Sequence, residues 1–244
     1  MKNNKKLSGK KQIEIVIDRL EKCNIDYIQY FDNMISANTC KKYVKKFNEI
    51  YKNGLCREGE TIKGLNKVKK ISFDYPMSNK DKDSELTDIY NNIHEILGYC
   101  LYSYLLNVGQ LGLIYTGLNI YNLKDNVPFE DIPDMPTDIG LETMWFRKYP
   151  KNSGGYFLPH CDNESYPGEG RMLAAIIYLN DIKHGGETVF PLLKRSIKPK
   201  AGRILIFPSY FTHLHYGKNA LSDRYIFACH IDKFIENNKN KEKE

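Results

Sequence analysis

The sequence has few of the features that mark a secreted or membrane-bound protein. Its cysteines show no CxxC pair and no regular spacing, which argues against a disulfide scaffold and favours a reducing compartment. The first apolar stretch, residues 13–17, is short, contains Glu14 and is followed by Asp18, so it is neither a signal peptide nor a membrane span. We therefore expect an intracellular, cytoplasmic location without a membrane partner. The six cysteines stand at positions 23, 40, 56, 100, 161 and 229.

The charge of the chain does not indicate a nucleic-acid partner. The 244 residues carry a formal net charge of +6, with 41% hydrophobic and 27% charged residues, as in an ordinary globular protein with a sizeable core. Lysine is concentrated at the two ends, as in solvated tails, and no nucleic-acid recognition motif accompanies it. We expect residues 1–24 to form a basic tail with a first helix, and residues 234–244 to form a charged tail.

Two apolar stripes in the first half of the chain predict helices. The shorter stripe covers residues 40–51, with Asn38 as its N-cap and Gly54 as its end. The longer stripe covers residues 86–105. We therefore expect residues 25–141 to form a helical N-terminal part.

Three segments of this half are not helical in pattern. Residues 71–75 alternate like a strand, and residues 55–70 are polar and basic, as in a loop. Residues 122–140 contain several prolines and acids, which is typical of a linker or of a mobile lid over a site. The basic loop and the acidic segment are candidate substrate contacts.

From residue 142 onwards the pattern changes to short apolar runs separated by glycine and proline turns. Many short strands with such turns indicate an antiparallel sandwich or barrel. We therefore predict an α+β fold in which residues 142–233 form a double-stranded β-helix (jelly roll) packed by the N-terminal helices. The runs cover residues 142–149, 155–160, 172–179, 187–190, 203–208 and 224–231.

Histidine and aspartate recur within this second half in a metal-binding pattern. His160 and Asp162 are two residues apart, so both side chains of a strand reach the same face. A third ligand has to come from elsewhere, and either His213 or His215 can supply it, since strand alternation does not separate them. Two imidazoles and one carboxylate form the facial triad of non-haem Fe(II) oxygenases, which leaves coordination positions open. Arg224 follows shortly after, and its planar guanidinium suits a carboxylate ligand.

These residues resemble the Fe(II)/2-oxoglutarate-dependent dioxygenases, and within them the prolyl 4-hydroxylase-like family. The resemblance runs from about Phe146 to Ile231 and follows ordered short motifs. These motifs are Tyr149-Pro150, Gly155-Tyr156, His160-Cys161-Asp162-Asn163, Gly170-Arg171, Ile177-Tyr178-Leu179-Asn180, Gly185-Gly186, Phe190-Pro191 and Arg224-Tyr225-Ile226.

The resemblance implies a role for each matching residue. His160, Asp162 and a distal histidine hold Fe(II); the family's spacing and H-x-G context select His215 over His213. Arg224 binds the distal carboxylate of 2-oxoglutarate. Two tyrosines complete the cosubstrate site: Tyr178 at the same carboxylate, and Tyr149 near the cosubstrate.

The resemblance further implies hydroxylation of proline in a protein or peptide, coupled to decarboxylation of 2-oxoglutarate to succinate and CO₂. The cofactors are Fe(II), 2-oxoglutarate and O₂, with ascorbate as a reductant. Asp162 at a ligand position favours hydroxylation over halogenation. Collagen-type prolyl 4-hydroxylases usually carry lysine in place of Arg224, and the segment around His215 also resembles lysyl hydroxylases. A lysyl or other protein hydroxylase is therefore the main alternative, ahead of a nucleic-acid demethylase or a non-catalytic binding module.

Overall fold

The computed structural model describes residues 26–59, 71–115, 139–151, 157–163 and 170–233. The predicted tails, residues 1–24 and 234–244, lie outside these ranges, as do residues 122–138 of the predicted lid. Contacts divide the chain into two compact units: Met1–Tyr27 with Leu101–Thr137, and Ile28–Cys100 with Asp138–Glu244. In the first unit, the Tyr104 hydroxyl donates a hydrogen bond of 3.0 Å to the carbonyl of Tyr27. All the strands within the described ranges belong to the second unit.

The first predicted helix is present as α1, Ala37–Lys52. Its N-cap is Ser36, whose hydroxyl accepts a hydrogen bond of 3.1 Å from the backbone N–H of Thr39. The predicted cap, Asn38, was therefore wrong, because that residue already lies in the first turn. The helix ends two residues before Gly54, which adopts the left-handed conformation with φ of 71°.

The second predicted helix is longer than its stripe. Helix α2 spans Ser84–Tyr115. A hydrogen bond of 2.8 Å from the Tyr43 hydroxyl of α1 to the Asn92 side chain joins the two helices, and Lys46 lies 2.6 Å from the Glu85 carboxylate. No helix among the residues described here is long and apolar enough to cross a membrane.

Twelve strands are described, and four of them lie within residues 25–141, the part that was predicted to be helical. The strands predicted at 71–75 and from residue 142 onwards are all represented, and several three-residue strands are added. The strands are β1 Gln29–Phe31, β2 Arg57–Glu58, β3 Phe73–Pro76, β4 Ile139–Leu141, β5 Trp145–Tyr149, β6 Phe157–His160, β7 Arg171–Tyr178, β8 Thr188–Phe190, β9 Arg195–Ile197, β10 Ile204–Pro208, β11 His215–Gly217 and β12 Arg224–Lys233.

The strands form two antiparallel sheets. The eight-stranded sheet has the order β1-β10-β7-β12-β5-β3-β2, with β4 also paired to β12, and the four-stranded sheet has the order β6-β11-β8-β9. One hydrophobic cluster contains side chains from both sheets, including Tyr178 of β7 and Phe190 of β8. This architecture confirms the predicted α+β jelly roll.

Strand β12 shows how the large sheet separates its two faces. Phe227 lies 6.0 Å from Tyr43 of α1, measured between ring centroids, so one face packs against this helix. Ile226 belongs instead to the cluster shared by the two sheets. Because side chains of a strand alternate, Arg224 and His230 lie on the same face as Ile226. Both polar side chains therefore point towards the space between the sheets.

Candidate metal and cosubstrate site

The structure brings His160, Asp162 and His215 together. His160 ends β6 and His215 begins β11, and the two residues are paired in register across the antiparallel strands. The His160 Nε2 and His215 Nε2 atoms lie 3.5 and 3.7 Å from the two carboxylate oxygens of Asp162. One potential ligand atom from each residue lies within 4.8 Å of the other two. Such a set of two nitrogens and one oxygen can bind one divalent metal ion.

Backbone carbonyls orient both imidazoles of this set. His160 Nδ1 lies 2.7 Å from the carbonyl of Leu158, and His215 Nδ1 lies 3.1 Å from the carbonyl of His213. A carbonyl only accepts hydrogen bonds, so each Nδ1 carries the proton. The Nε2 atoms are then left as the electron-pair donors that face Asp162.

The charge states within the set suit a metal. Burial lowers the pKa of His215 to about 3, and the neighbouring His160 adds to this effect. Burial opposes ionisation of Asp162, but the neighbouring His230 holds the pKa of Asp162 well below its usual value. At neutral pH His215 is therefore neutral and Asp162 is an anion, the protonation states in which these groups bind metals.

His213 lies in a different element from His215. It ends a 3-10 helix, Phe211–His213, and its Nδ1 lies 2.9 Å from the hydroxyl of Thr212. The sequence pattern predicted a strand in this segment, in which His213 and His215 share a face. The turn of the 3-10 helix separates them, and His213 instead orients His215 through its carbonyl.

Arg224 lies buried between the sheets, with 3% of its surface exposed. Its Nη1 donates a hydrogen bond of 2.6 Å to the carbonyl of Gly186, and its guanidinium carbon lies 4.2 Å from the centroid of the Tyr149 ring. Burial lowers the pKa of Arg224, but an arginine remains charged at neutral pH. Its Nε is buried and has no hydrogen-bond partner among the described residues. A buried cation with an unused donor is suited to an anionic ligand.

Tyr178 also faces this region and is fully buried. Its hydroxyl lies 2.7 Å from the hydroxyl of Thr188, and burial raises its pKa to about 12, so the phenol keeps its proton. Thr188 pairs with Gly217 across β8 and β11. A Cβ added at Gly217 would lie 2.7 Å from Arg224 Nη2. The absence of a side chain at Gly217 therefore leaves room for the guanidinium.

The sequence alone did not reveal the roles of Thr188 and of a group of side chains beside Asp162. Thr188 has no motif of its own, and only its pairing with Gly217 reveals its position. His230 Nε2 lies 3.3 Å from Asp162 Oδ1, and His230 Nδ1 lies 3.4 Å from Glu142 Oε2. Arg171 holds Glu142 with two hydrogen bonds of 2.6 and 2.7 Å. The available signal was the even number of residues between Arg224 and His230, which places both side chains on the same face of a strand.

The donor set and its surroundings fit the cofactors implied by the sequence. Two neutral imidazoles and one carboxylate are the ligands of non-haem Fe(II), and they leave positions for other ligands. Arg224 and Tyr178 provide a buried cation and a hydroxyl that suit a carboxylate of 2-oxoglutarate. Phe207 and Phe190 lie beside His215, at ring-centroid distances of 4.7 and 5.7 Å, and form an apolar wall.

Comparisons with known proteins match this chain to 2OG-Fe(II) oxygenases and to prolyl hydroxylases. Residues 144–232 match the family model of the 2OG-Fe(II) oxygenase superfamily. A curated protein of Acanthamoeba polyphaga mimivirus, named "Putative prolyl 4-hydroxylase", is 32% identical over 82 residues. That match covers 34% of this chain and 34% of the mimivirus protein, so it spans about a third of each.

Solved structures match over nearly the whole chain. A Trichoplax adhaerens prolyl hydroxylase, in complex with a peptide fragment of the hypoxia inducible factor oxygen degradation domain, has a TM-score of 0.61 at 17% identity, covering 95% of this chain and 94% of that one. A viral collagen prolyl hydroxylase from Paramecium Bursaria Chlorella virus-1, in complex with 2OG, has a TM-score of 0.56 at 20% identity, covering 87% of this chain and 99% of that one. At these identities the structural matches establish the shared fold.

Proposed function

We propose that this chain is an Fe(II)/2-oxoglutarate-dependent dioxygenase that hydroxylates proline in a protein or peptide. Its residues 144–232 match the 2OG-Fe(II) oxygenase superfamily, and the curated relative is named a putative prolyl 4-hydroxylase. One observation carries the proposal. The cluster of His160, Asp162 and His215 lies in the same pair of sheets as the buried Arg224, whose Nε meets no hydrogen-bond partner in the part of the chain that the structure describes. A metal-ligand set beside an unused buried cation meets the needs of a metal-bound dicarboxylate.

The three clustered residues have the role of Fe(II) ligands in this proposal. His160 and His215 offer Nε2 because their Nδ1 atoms are held by backbone carbonyls. Asp162 offers a carboxylate oxygen and neutralises one positive charge of the ion. Bound Fe(II) would supply the reaction of O₂ with 2-oxoglutarate: one oxygen atom would enter succinate as CO₂ is released, and the other would hydroxylate a substrate C–H bond.

Arg224, Tyr178 and Tyr149 have the role of cosubstrate-binding residues. Arg224 Nε donates to the distal carboxylate, and the Tyr178 hydroxyl, which keeps its proton, donates to the same group. Tyr149 supports the guanidinium with the face of its ring. Phe190 and Phe207 exclude water from one side of His215, which strengthens these polar contacts.

Proline is proposed as the target residue because the relatives named above are prolyl hydroxylases by name. Arginine at position 224 and the His215-Tyr216-Gly217 motif also occur in the pattern of lysyl hydroxylases, which remains the second candidate. An intracellular location is proposed as well. Its support is that Cys40, Cys56, Cys100, Cys161 and Cys229, the cysteines within the described ranges, form no disulfide there. Localisation of a tagged full-length chain by microscopy tests this; secretion would contradict it.

The decisive experiment is anaerobic loading with Fe(II) and 2-oxoglutarate, followed by exposure to O₂ with a peptide panel and mass spectrometry. The panel contains Pro-rich, Gly-Xaa-Pro and Lys-containing peptides. A one-oxygen gain on proline that requires 2-oxoglutarate and is lost in His215→Ala supports the proposal. A gain on lysine replaces the prolyl assignment with the lysyl one, and the absence of iron binding overturns the oxygenase assignment. His213→Ala is the matched control for His215→Ala, and it should still bind iron.

A further inference from the structure

Each imidazole of the proposed metal set has an orienting partner, and Asp162 has one too. The partner of His160 is the carbonyl of Leu158, and that of His215 is the carbonyl of His213. Asp162 Oδ1 lies 3.3 Å from Nε2 of His230. The first two partners were identified above as devices that fix the ligand rings, and His230 stands in the same relation to the carboxylate.

Glu142 contacts both the imidazole ring and the backbone of His230. The Nδ1 of His230 lies 3.4 Å from Glu142 Oε2, and the Glu142 backbone N–H donates a hydrogen bond of 2.9 Å to the carbonyl of His230. Main chain and side chain of Glu142 therefore both contact the same residue. The side chain of His230 is only 20% exposed, so little space is available for it to turn away from Asp162.

Arg171 contacts both the Glu142 carboxylate and the backbone of Asp162. Its Nε and Nη2 donate to the two oxygens of Glu142 at 2.6 and 2.7 Å, a bidentate pairing that fixes the carboxylate plane. Its Nη1 lies 3.4 Å from the backbone carbonyl of Asp162. The order Asp162, His230, Glu142, Arg171 alternates acidic and basic side chains, and Arg171 leads back to the backbone carbonyl of Asp162.

The backbone of Asp162 is held independently of these side chains. The N–H groups of Asp162 and Asn163 both donate to the carbonyl of Ser209, at 3.1 and 3.0 Å. The Asn163 side chain donates to the carbonyl of Arg171 at 2.6 Å. What remains free in Asp162 is the rotation of its carboxylate, and His230 contacts one of the two carboxylate oxygens.

We infer that His230 is a positioning residue that orients the Asp162 carboxylate for metal binding, with Glu142 and Arg171 holding His230 in place. This inference rests on the proposed function. Partners of metal ligands typically contribute 10- to 100-fold in metal affinity, so we expect the loss of His230 to weaken Fe(II) binding by about that factor.

His230 is an orienting group rather than a fourth ligand in this arrangement. Its two nitrogens face Asp162 and Glu142, and it does not belong to the group of potential ligand atoms that lie within 4.8 Å of one another. A fourth protein ligand would also occupy a position that 2-oxoglutarate or O₂ needs.

The test compares metal affinity in the full chain under anaerobic conditions. The wild type, His230→Gln, His230→Phe and Glu142→Gln are titrated with Co(II), read by its visible absorption, and with Fe(II), read by equilibrium dialysis. His184→Gln is the matched control, because His184 is exposed and lies outside the proposed site. We expect His230→Phe to lose 10- to 100-fold in affinity and His230→Gln, which keeps one N–H donor, to lose less.

Thermal unfolding without metal separates positioning from packing. Equal melting temperatures of the metal-free variants, together with the graded loss of affinity, support the inference. Unchanged affinity in His230→Phe overturns it, and so does an equal loss in both His230 variants accompanied by a lower metal-free melting temperature. In the double variant His230→Gln/Glu142→Gln, a loss smaller than the product of the single losses supports action through one group; a fully multiplicative loss overturns the coupling.

The wild type distinguishes this inference from the proposed function. If the wild type binds neither metal, the oxygenase assignment itself fails. If it binds metal and forms succinate from 2-oxoglutarate while His230→Phe and His230→Gln bind metal equally well, only the role of His230 fails.

Discussion

The guanidinium carbon of Arg224 lies 4.2 Å from the centroid of the Tyr149 ring. The two residues are paired in register across β12 and β5, so neighbouring backbones of the large sheet set this distance. A cation over an aromatic face is attracted by about 1–2 kcal/mol when desolvated. The pairing therefore restrains the guanidinium of Arg224 over the Tyr149 ring.

Removal of the Tyr149 ring should weaken cosubstrate binding. We expect Tyr149→Ala to raise the KM for 2-oxoglutarate about tenfold, since the loss of about 1.4 kcal/mol of cation–π attraction corresponds to that factor. Tyr149→Phe keeps the ring and should change this KM less than threefold. Steady-state succinate formation measures both values. A large effect in Tyr149→Phe would instead assign the contribution to the hydroxyl.

A substitution at Gly217 should displace the Arg224 side chain without replacing the arginine itself. A Cβ at this position would lie 2.7 Å from Arg224 Nη2, so the flexible guanidinium has to shift. We expect Gly217→Ala to raise the KM for 2-oxoglutarate by about 10- to 100-fold, the scale at which small misplacements act in a site.

Metal affinity provides the control for this variant. Fe(II) binding by Gly217→Ala should stay within about threefold of the wild type, because the metal set does not include Arg224. An unchanged KM in Gly217→Ala would show that Arg224 tolerates the added methyl group and would contradict the tight fit inferred here.

The sequence was informative where a pattern repeats over several residues. Strand β7 spans eight residues and its apolar run was predicted within one residue at each end. Strands β9 and β11 have three residues each, which is too short for a period of two to be recognised. The wrong cap of α1 has a similar origin, since Ser36 and Asn38 are both good capping residues and only the backbone conformation decides between them.

Contacts between distant segments could not be predicted in the same way. The contact between His230 and Glu142 depends on the pairing of β4 with β12, and no local pattern specifies that register. The separation of His213 from His215 depends on a 3-10 turn inside an apolar run that reads as a strand. The His160 and Asp162 pair was accessible because two residues on one strand share a face wherever the strand lies.

Asp162 should be indispensable to metal binding. We expect Asp162→Ala to remove detectable Fe(II) binding at concentrations that saturate the wild type, and to abolish succinate formation, because the set loses its one anionic ligand. The rise in melting temperature that the metal gives the wild type should vanish as well. Asp181→Ala, at an exposed position, is the control. Retained turnover in Asp162→Ala would refute the triad assignment.

An ion pair far from the metal set predicts how stability responds to pH. Asp32 follows β1, Arg203 precedes β10, and their side chains meet at 2.7 and 3.0 Å. The hydrogen bond from Arg203 lowers the pKa of Asp32 below its ordinary value of 3.8. The carboxylate is thus more stable in the folded state, and the contribution of the pair is fully present above the unfolded pKa.

The variant Asp32→Asn should be less stable than the wild type by about 1 kcal/mol at neutral pH, a value limited by the partial exposure of the pair. The difference should stay constant from pH 8 to pH 5 and shrink as the pH falls below about 4, because the unfolded wild-type chain then binds a proton at Asp32 that the folded protein binds only at lower pH. Urea unfolding at each pH measures it. Asp88→Asn, at an exposed position of α2, is the control. A difference that grew on acidification would mean that the pKa of Asp32 is raised, and the assigned ion pair would have to be abandoned.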